Sequence, residues 1–283
     1  MEELIITSAK NPKVKYLLEL QQKSSARRKE GLFVVEGRRE LEHCLEAGYE
    51  VESIFATEQF IVDSELLATK VKSGSQSLST INYKLYTVTP QVYERIAYRG
   101  STEGVVAVVR AKRHQLEDLQ LKENPLIIVL ESVEKPGNLG AVLRSADAAQ
   151  ADAVIVCDPL TDLYNPNLIR SSIGAIFTVP TVACTSEACI GFLKARGIQI
   201  LTAQLQDSSL YYDTPMTQGT AIVMGTESTG LTDQWRRAAD AHIRIPMLGR
   251  LDSLNVSVSA AILLFEAVRQ RQRSHGLYGN EFE

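Results

Sequence analysis

The sequence predicts two α/β domains in tandem, the second built on a mostly parallel sheet covered on both faces. Three observations carry this. Short apolar runs alternate with helical patterns along most of the chain, as layered α/β domains require. In the second half the strand-like runs (LIIVL, AVIVC, TAIVM) are apolar but for one threonine, the pattern of strands buried on both faces. A polar stretch, AKRHQLEDLQLKEN at 111–124, separates two apolar runs and marks a boundary. The expected organisation is a smaller domain over 1–112, a linker over 113–124 and a larger domain over 125–283. A chain of 283 residues is long enough for two cores.

In order along the chain, Asn11-Pro12 opens a helix through VKYLLELQQ, because proline at the first helical position gives up only an N–H that the helix leaves unused. Leu32–Val35 reads as a strand and Arg38–Ala47 as a helix. Val51–Ala56 is a strand, Ser64–Val71 a helix, and the polar tract Lys72–Thr80 a loop. Leu85–Val88, a helix through Tyr93–Tyr98 and the strand Gly104–Val109 complete a small α/β sandwich. In the second part we expect strands at 126–132, 153–157, 199–203, 220–224 and 242–245, and helices at 138–149, 186–196, 232–239 and 254–273. Parallel sheets put their chemistry in the loops beyond the carboxyl ends of strands. Those loops follow residues 133, 224 and 246.

The formal net charge of −4 argues against indiscriminate binding to nucleic acid. The charge is uneven, however: residues 10–39 hold nine bases against three acids. Among them Lys13, Lys15, Arg27, Arg28, Lys29 and Arg38 form either a solvated helix face or a patch for RNA phosphates. No apolar run reaches the roughly 18–20 residues of a membrane span, and the N-terminal residues lack a secretory pattern. Cys44, Cys157, Cys184 and Cys189 include no C-x-x-C pair, and the four histidines show no ligand spacing. Reduced thiols in a cytoplasmic protein, with no metal site, are the expectation.

Each loop is ambiguous alone. In the first, Pro136-Gly137 precedes Asn138, which is placed to cap a helix, and Arg144 follows. The full G-x-G-x-x-G fingerprint of a dinucleotide loop is absent. In the second, Gly225 and Gly230 bracket Glu227, with Thr232 placed to cap the next helix. In the third, a strand ends at Pro246 and a long helix starts near Ser253. Asn255 there is expected to be a buried amide in need of partners.

Taken together, NLGAVLR, MGTESTGL and IPMLGRLDSLNVSVSAA resemble, in order, the three motifs of the SpoU/TrmH family of RNA 2′-O-methyltransferases. The first part is similar to that family's L30e-like substrate-binding extension at Asn11–Lys15, Phe33–Gly37 and Gly104–Arg110. The resemblance implies a trefoil-knotted α/β catalytic domain, S-adenosylmethionine as cofactor, a structured RNA substrate and a homodimer. Position by position it implies catalytic roles for Asn138, Arg144, Glu227, Ser253 and Asn255. It assigns the cofactor to Met224, Gly225, Thr226, Gly230, Ile245, Met247, Leu254 and Asn255. Glu131 and Lys135 depart from the family pattern, in which aspartates are commoner near these positions. The extension favours large-subunit rRNA over tRNA. A tRNA enzyme, a non-catalytic RNA-binding assembly protein on the same fold and a Rossmann-type nucleotide enzyme are the alternatives.

Overall fold

A computed structural model describes residues 5–63, 83–98, 103–226 and 229–274. The expected helix over 64–71, the loop over 72–80 and Glu227 lie outside the described residues. The chain forms two compact units, Met1–Arg113 with Asp162–Thr178, and His114–Thr161 with Val179–Glu283.

The first unit runs β1 (Ile5–Ile6), α1 (Pro12–Gln22), α2 (Ser24–Glu30), β2 (Leu32–Glu36), α3 (Arg38–Glu46), β3 (Val51–Thr57), α4 (Glu58–Asp63), β4 (Lys84–Val88), α5 (Pro90–Ile96) and β5 (Val105–Arg110). Its five-stranded sheet has the order β1-β4-β3-β5-β2. Strands β1, β4 and β3 pair in parallel, and β5 pairs antiparallel with both β3 and β2. Asn11 caps α1 by accepting from the Lys13 backbone N–H, with Pro12 at the start of the helix. Val14, Leu17 and Leu20 recur at helical spacing and bury themselves with Leu32, Val34, Phe55 and Val108.

Arg27 corrects the charge reading. It is buried at 5 % exposure. Its guanidinium pairs with Asp162 at 2.6 Å and donates to the carbonyls of Leu20 and Gln21. A buried charge persists where it is paired and hydrogen-bonded, so Arg27 belongs to the packing of this unit and not to an RNA-facing surface.

The second unit is built on β6 (Leu126–Glu131), α6 (Pro136–Ala148) and β7 (Ala153–Cys157). The chain then leaves for α7 (Pro166–Ser171) and α8 (Ala175–Thr178), which pack in the first unit. It returns as β8 (Thr181–Cys184), α9 (Ser186–Ala195), β9 (Gln199–Ala203), β10 (Ser209–Leu210), β11 (Thr220–Met224), α10 (Asp233–Ala238), β12 (Ala241–Arg244) and α11 (Val256–Ser274). All seven strands are parallel, in the order β10-β12-β9-β11-β6-β7-β8. Every residue of β6, β7 and β11 is buried. The excursion brings Tyr164 flat against Phe33, with ring centroids 4.3 Å apart, and its hydroxyl donates to the Lys112 carbonyl at 2.7 Å. The stretch expected as a linker is anchored too: Leu116 and Leu119 lie in the core of the second unit.

Three boundaries differ from expectation for local reasons. Helix α6 starts at Pro136, whose fixed φ suits the first position, so Asn138 sits inside the helix and does not cap it. Thr232 precedes α10 but turns its hydroxyl to Glu131. Helix α11 begins at Val256, not Ser253, because Asn255 is its cap: Asn255 Oδ1 accepts from the Ser257 N–H at 3.0 Å and the Ser257 hydroxyl at 2.6 Å.

Helix α11 packs against α6 and the β6–β11 pair, with Ala260 and Ala267 fully buried, so that backbones approach closely. Its far end is tied down by Arg271. The guanidinium donates to the carbonyls of Met216 (2.9 Å), Asn124 (2.6 Å), Pro125 (3.1 Å) and Gln218 (2.6 Å). Partial burial pulls its pKa below the ordinary arginine value. Removing these charge-assisted bonds by Arg271→Ala should cost about 2–3 kcal/mol. In a unit of this size that lowers the thermal midpoint by roughly 5–10 °C. A calorimetric midpoint within a degree of the unaltered protein would show that water satisfies those carbonyls equally well.

Candidate functional site

The parallel sheet changes its direction of growth at β6. Strands β7 and β8 extend it on one side, and β11, β9, β12 and β10 lie on the other. Such a switch point opens a crevice beyond the carboxyl ends of the adjoining strands. Here those strands are β6 and β11, paired in register from Leu126↔Thr220 to Leu130↔Met224. Their following loops are the first two singled out in the sequence, and the loop after β12 reaches the same crevice.

Two depressions occupy it. The larger, about 390 Å³, is walled by Met224, Gly225, Thr226, Gly230 and Leu231 from the second loop. Ile243, Ile245, Met247, Ser253, Leu254 and Val256 come from the third loop and its flanks. The smaller, about 120 Å³, shares Gly225, Thr226 and Val256 and adds Ser132, Glu134, Lys135 and Asn138 from the first loop. Of the expected cofactor residues, Met224, Gly225, Thr226, Gly230, Ile245, Met247 and Leu254 all line the larger cleft.

Gly225 is required by the turn itself. A methyl group there would collide with the backbone of Gly230 and Leu231, because the loop folds back on itself. Thr226 and Gly230 bridge, and the Gly230 N–H donates to the Thr226 carbonyl at 3.1 Å. Gly230 takes a left-handed φ of 67°, a conformation that side chains disfavour. The far end of the loop is held by Glu131, a 2 %-exposed carboxylate that closes the apolar strand β6. It accepts from the Thr232 N–H at 2.8 Å and the Thr232 hydroxyl at 2.7 Å. Behind it, Ser186 Oγ accepts from Trp235 Nε1 at 3.0 Å and donates to Asp158 at 2.6 Å. Glu131 was legible only as a departure from pattern; its work in anchoring this loop depends on Thr232, 101 residues away.

Asn255 is exposed, not buried. Beyond capping α11, its Nδ2 donates to Asn138 Oδ1 at 3.2 Å, joining the first and third loops at the crevice mouth. Arg144 lies six residues beyond Asn138 on α6, about 9 Å along the helix axis, and is exposed. It lines neither cleft, and among the described residues nothing engages its guanidinium. Gln204 was not singled out in the sequence. Its Oε1 is a buried acceptor without a partner among the described residues, and the residue borders the larger cleft.

In the first unit the basic residues divide. Lys15, Arg28 and Lys29 are exposed on or beside α1 and α2. The Lys13 ammonium sits 4.2 Å over the Tyr86 ring. The Arg38 side chain pairs with Glu42 at 2.9 Å, and its backbone N–H donates to Glu103.

The profile of the SpoU rRNA Methylase family matches residues 125–265. A 23S rRNA (uridine(2479)-2′-O)-methyltransferase of Streptomyces viridochromogenes is 31% identical over 253 residues, covering 87% of this chain and 85% of that protein. The chain belongs to the SpoU rRNA methylase family. The substrate-binding unit of this SpoU methylase also has a counterpart, as residues 11–107 match the MRM3-like substrate binding domain. The 23S rRNA (guanosine(2553)-2′-O)-methyltransferase RlmP of Bacillus subtilis is 28% identical over 260 residues, 92% of this chain and 97% of that one. An AdoMet-bound rRNA methyltransferase from Sinorhizobium meliloti superposes with a TM-score of 0.84 at 28% identity, covering 94% of this chain and 97% of that chain. The parallel-sheet unit is thus the knotted α/β domain of the family.

The cleft suits S-adenosylmethionine. Its volume falls in the roughly 300–1,000 Å³ of small-molecule sites, and apolar Ile243, Ile245 and Met247 share its walls with polar Gln204, Arg244 and Asp252. Gly225 keeps the second loop tight against it, and Gln204 Oε1, without a partner among the described residues, offers an acceptor for a ligand N–H.

Proposed function

We propose that this SpoU methylase transfers a methyl group from S-adenosylmethionine to a ribose 2′-hydroxyl in 23S-type rRNA. The convergence of three separate loops on one switch-point crevice carries the reading, and the substrates named for its relatives support the choice of RNA. Bound cofactor supplies a methyl group already activated on a sulfonium. The protein's task is to align the hydroxyl behind that methyl and stabilise the charge that develops. The oxygen–methyl bond forms as the sulfur–methyl bond breaks, and the hydroxyl proton leaves to solvent.

Arg144 has the chemistry for the charge. A guanidinium keeps its proton at any physiological pH, so it serves by binding the neighbouring phosphate and the developing alkoxide rather than as a base. The Asn138–Asn255 pair fixes the mouth where the ribose enters, and Ser253 borders it. The resemblance gives Glu227, the acid of the second motif, a catalytic role.

Lys15, Arg28 and Lys29 hold the RNA, with Lys13 and Arg38 contributing from partly engaged positions. Replacing Lys15, Arg28 and Lys29 by glutamine should weaken RNA binding and flatten its dependence on log salt by about one unit for each phosphate no longer neutralised. An unchanged slope in a filter-binding series moves the RNA to another surface.

A homodimer accords with the apolar surface left open around the third loop. Leu248 is 97% and Leu251 79% exposed, and Val258 and Phe265 of α11 are each 47% exposed. Sedimentation reads the mass directly. No described helix is long and apolar enough to cross a membrane. We assign the protein to the cytoplasm from its likeness to rRNA methyltransferases of bacteria. The substrate is tested by offering the full chain undermodified 23S rRNA and tRNA with labelled cofactor. Labelling of rRNA alone is the expected result, and labelling of tRNA alone overturns the choice of substrate.

A further inference from the structure

The parallel-sheet unit gathers three cysteines that the sequence scatters. Cys157 ends β7, Cys184 ends β8, and the two are register partners. Cys189 lies in α9, the helix that leaves β8. Their sulfurs all lie within 4.8 Å of one another. Cys157 and Cys189 are fully buried, while Cys184 is half-buried and opens the cluster to solvent.

One buried cysteine behaves as a small apolar side chain and needs no further account. Three, delivered by three different elements to one point with one solvent-facing side, make a ligand set. Metal–sulfur bonds of about 2.3 Å would put three sulfurs about 4 Å apart around a common ion, so the trio closes on a cation by under about an ångström of movement. The surrounding Ile155, Val182 and Phe192 form an apolar shell, which favours an ion that cancels most of the thiolate charge. A divalent cation with three thiolates leaves a single negative charge, and a monovalent one leaves two. The Asp158 carboxylate is held by the Ser186 N–H at 3.2 Å and hydroxyl at 2.6 Å, which leaves the fourth position to solvent on the Cys184 side.

We propose that Cys157, Cys184 and Cys189 form a binding site for a divalent d¹⁰ cation of the Zn(II) class, which staples β7, β8 and α9. This reverses the sequence expectation of no metal site. It is independent of the methyl-transfer reading, because the cluster lies outside both clefts.

The test uses the full-length, reduced, chelator-treated protein. Zn(II) is titrated against a chromophoric competitor, and Cd(II) is titrated while sulfur-to-metal charge-transfer absorption is followed in the near ultraviolet. The expected result is one ion per chain, absorption of three thiolate ligands, proton release on binding and a raised thermal midpoint. Loss of outer-shell partners alone weakens metal sites about 10–100-fold, so Cys184→Ser should weaken this one by more than that. Cys44→Ser, in the other unit, should leave the metal affinity and stoichiometry unchanged. Absence of a cadmium–thiolate band, or binding of equal strength in Cys184→Ser, overturns the proposal. Cys184 is chosen because its half-exposed position spares the core, and the midpoint of the metal-free variant checks that it folds.

Discussion

Arg144→Ala should lower the single-turnover rate of methyl transfer by about 10²–10³-fold, the usual cost of removing one preorganised group that stabilises developing charge. Affinity for S-adenosylmethionine should be unchanged, because Arg144 lines neither cleft. The separation of the two readouts is what matters. An exposed guanidinium that lines neither cleft, and is engaged by nothing among the described residues, meets the RNA and not the cofactor. Arg144→Lys keeps the charge but loses the planar fork that matches a phosphate, so partial rescue is expected. Near-full methylation by Arg144→Ala would remove it from the reaction in either role, as base or as charge stabiliser. A parallel loss of cofactor affinity would mean that α6 shapes the cleft in a way the wall residues do not reveal.

Gly225→Ala should act on the complementary step. The added methyl meets the backbone of Gly230 and Leu231, and backbone cannot turn aside as a side-chain end can. Overpacking of this kind costs about 1–3 kcal/mol, which becomes roughly 5–150-fold in cofactor affinity if the loop must open to admit the methyl. The sheet beneath has its own ladder of parallel pairing from β9 through β11 to β6, so circular dichroism should show an intact fold. Cofactor titration by calorimetry reads the effect. Unaltered affinity would show that the Thr226–Gly230 turn is not part of the binding surface.

The two variants divide the catalytic cycle between cofactor and RNA. That division follows from how the crevice is built. Glu131 and Gly225 hold the two ends of one loop through interactions made within the protein. Asn138 and Asn255 clamp the other two loops together. Arg144 is exposed, and its guanidinium is engaged by nothing among the described residues.

Much of this was legible because local and global preferences agree. LIIVL, AVIVC and TAIVM have no polar face to turn outward, and each is a strand buried on both sides. Asn11-Pro12 favours a helix start through its own side chains, and it makes one here. The knot came through resemblance alone, since no periodicity encodes the threading of a chain. What stayed hidden depends on distant partners. Residues 166–171 and 175–178 are helices that pack with the first unit, and nothing nearby in the sequence announces that Tyr164 will stack on Phe33. Arg27 counts as one more positive charge in a basic run until Asp162, 135 residues away, is found beside it. Thr181–Cys184 is too short a strand to stand out, and with it was missed the neighbour that brings Cys184 to Cys157. Asn255 was singled out for the wrong reason: it is exposed, and it matters through the Asn138 amide and the cap of α11.

That the crevice methylates a ribose hydroxyl is tested most directly by the chemical identity of the product. Undermodified 23S rRNA incubated with the full-length protein and isotopically labelled S-adenosylmethionine is digested to nucleosides and resolved by mass spectrometry. The predicted result is label in a single 2′-O-methyl nucleoside, stable to alkali as its neighbouring phosphodiester bond resists cleavage. Label on a base, or cofactor binding with no transfer to any RNA offered, would contradict it.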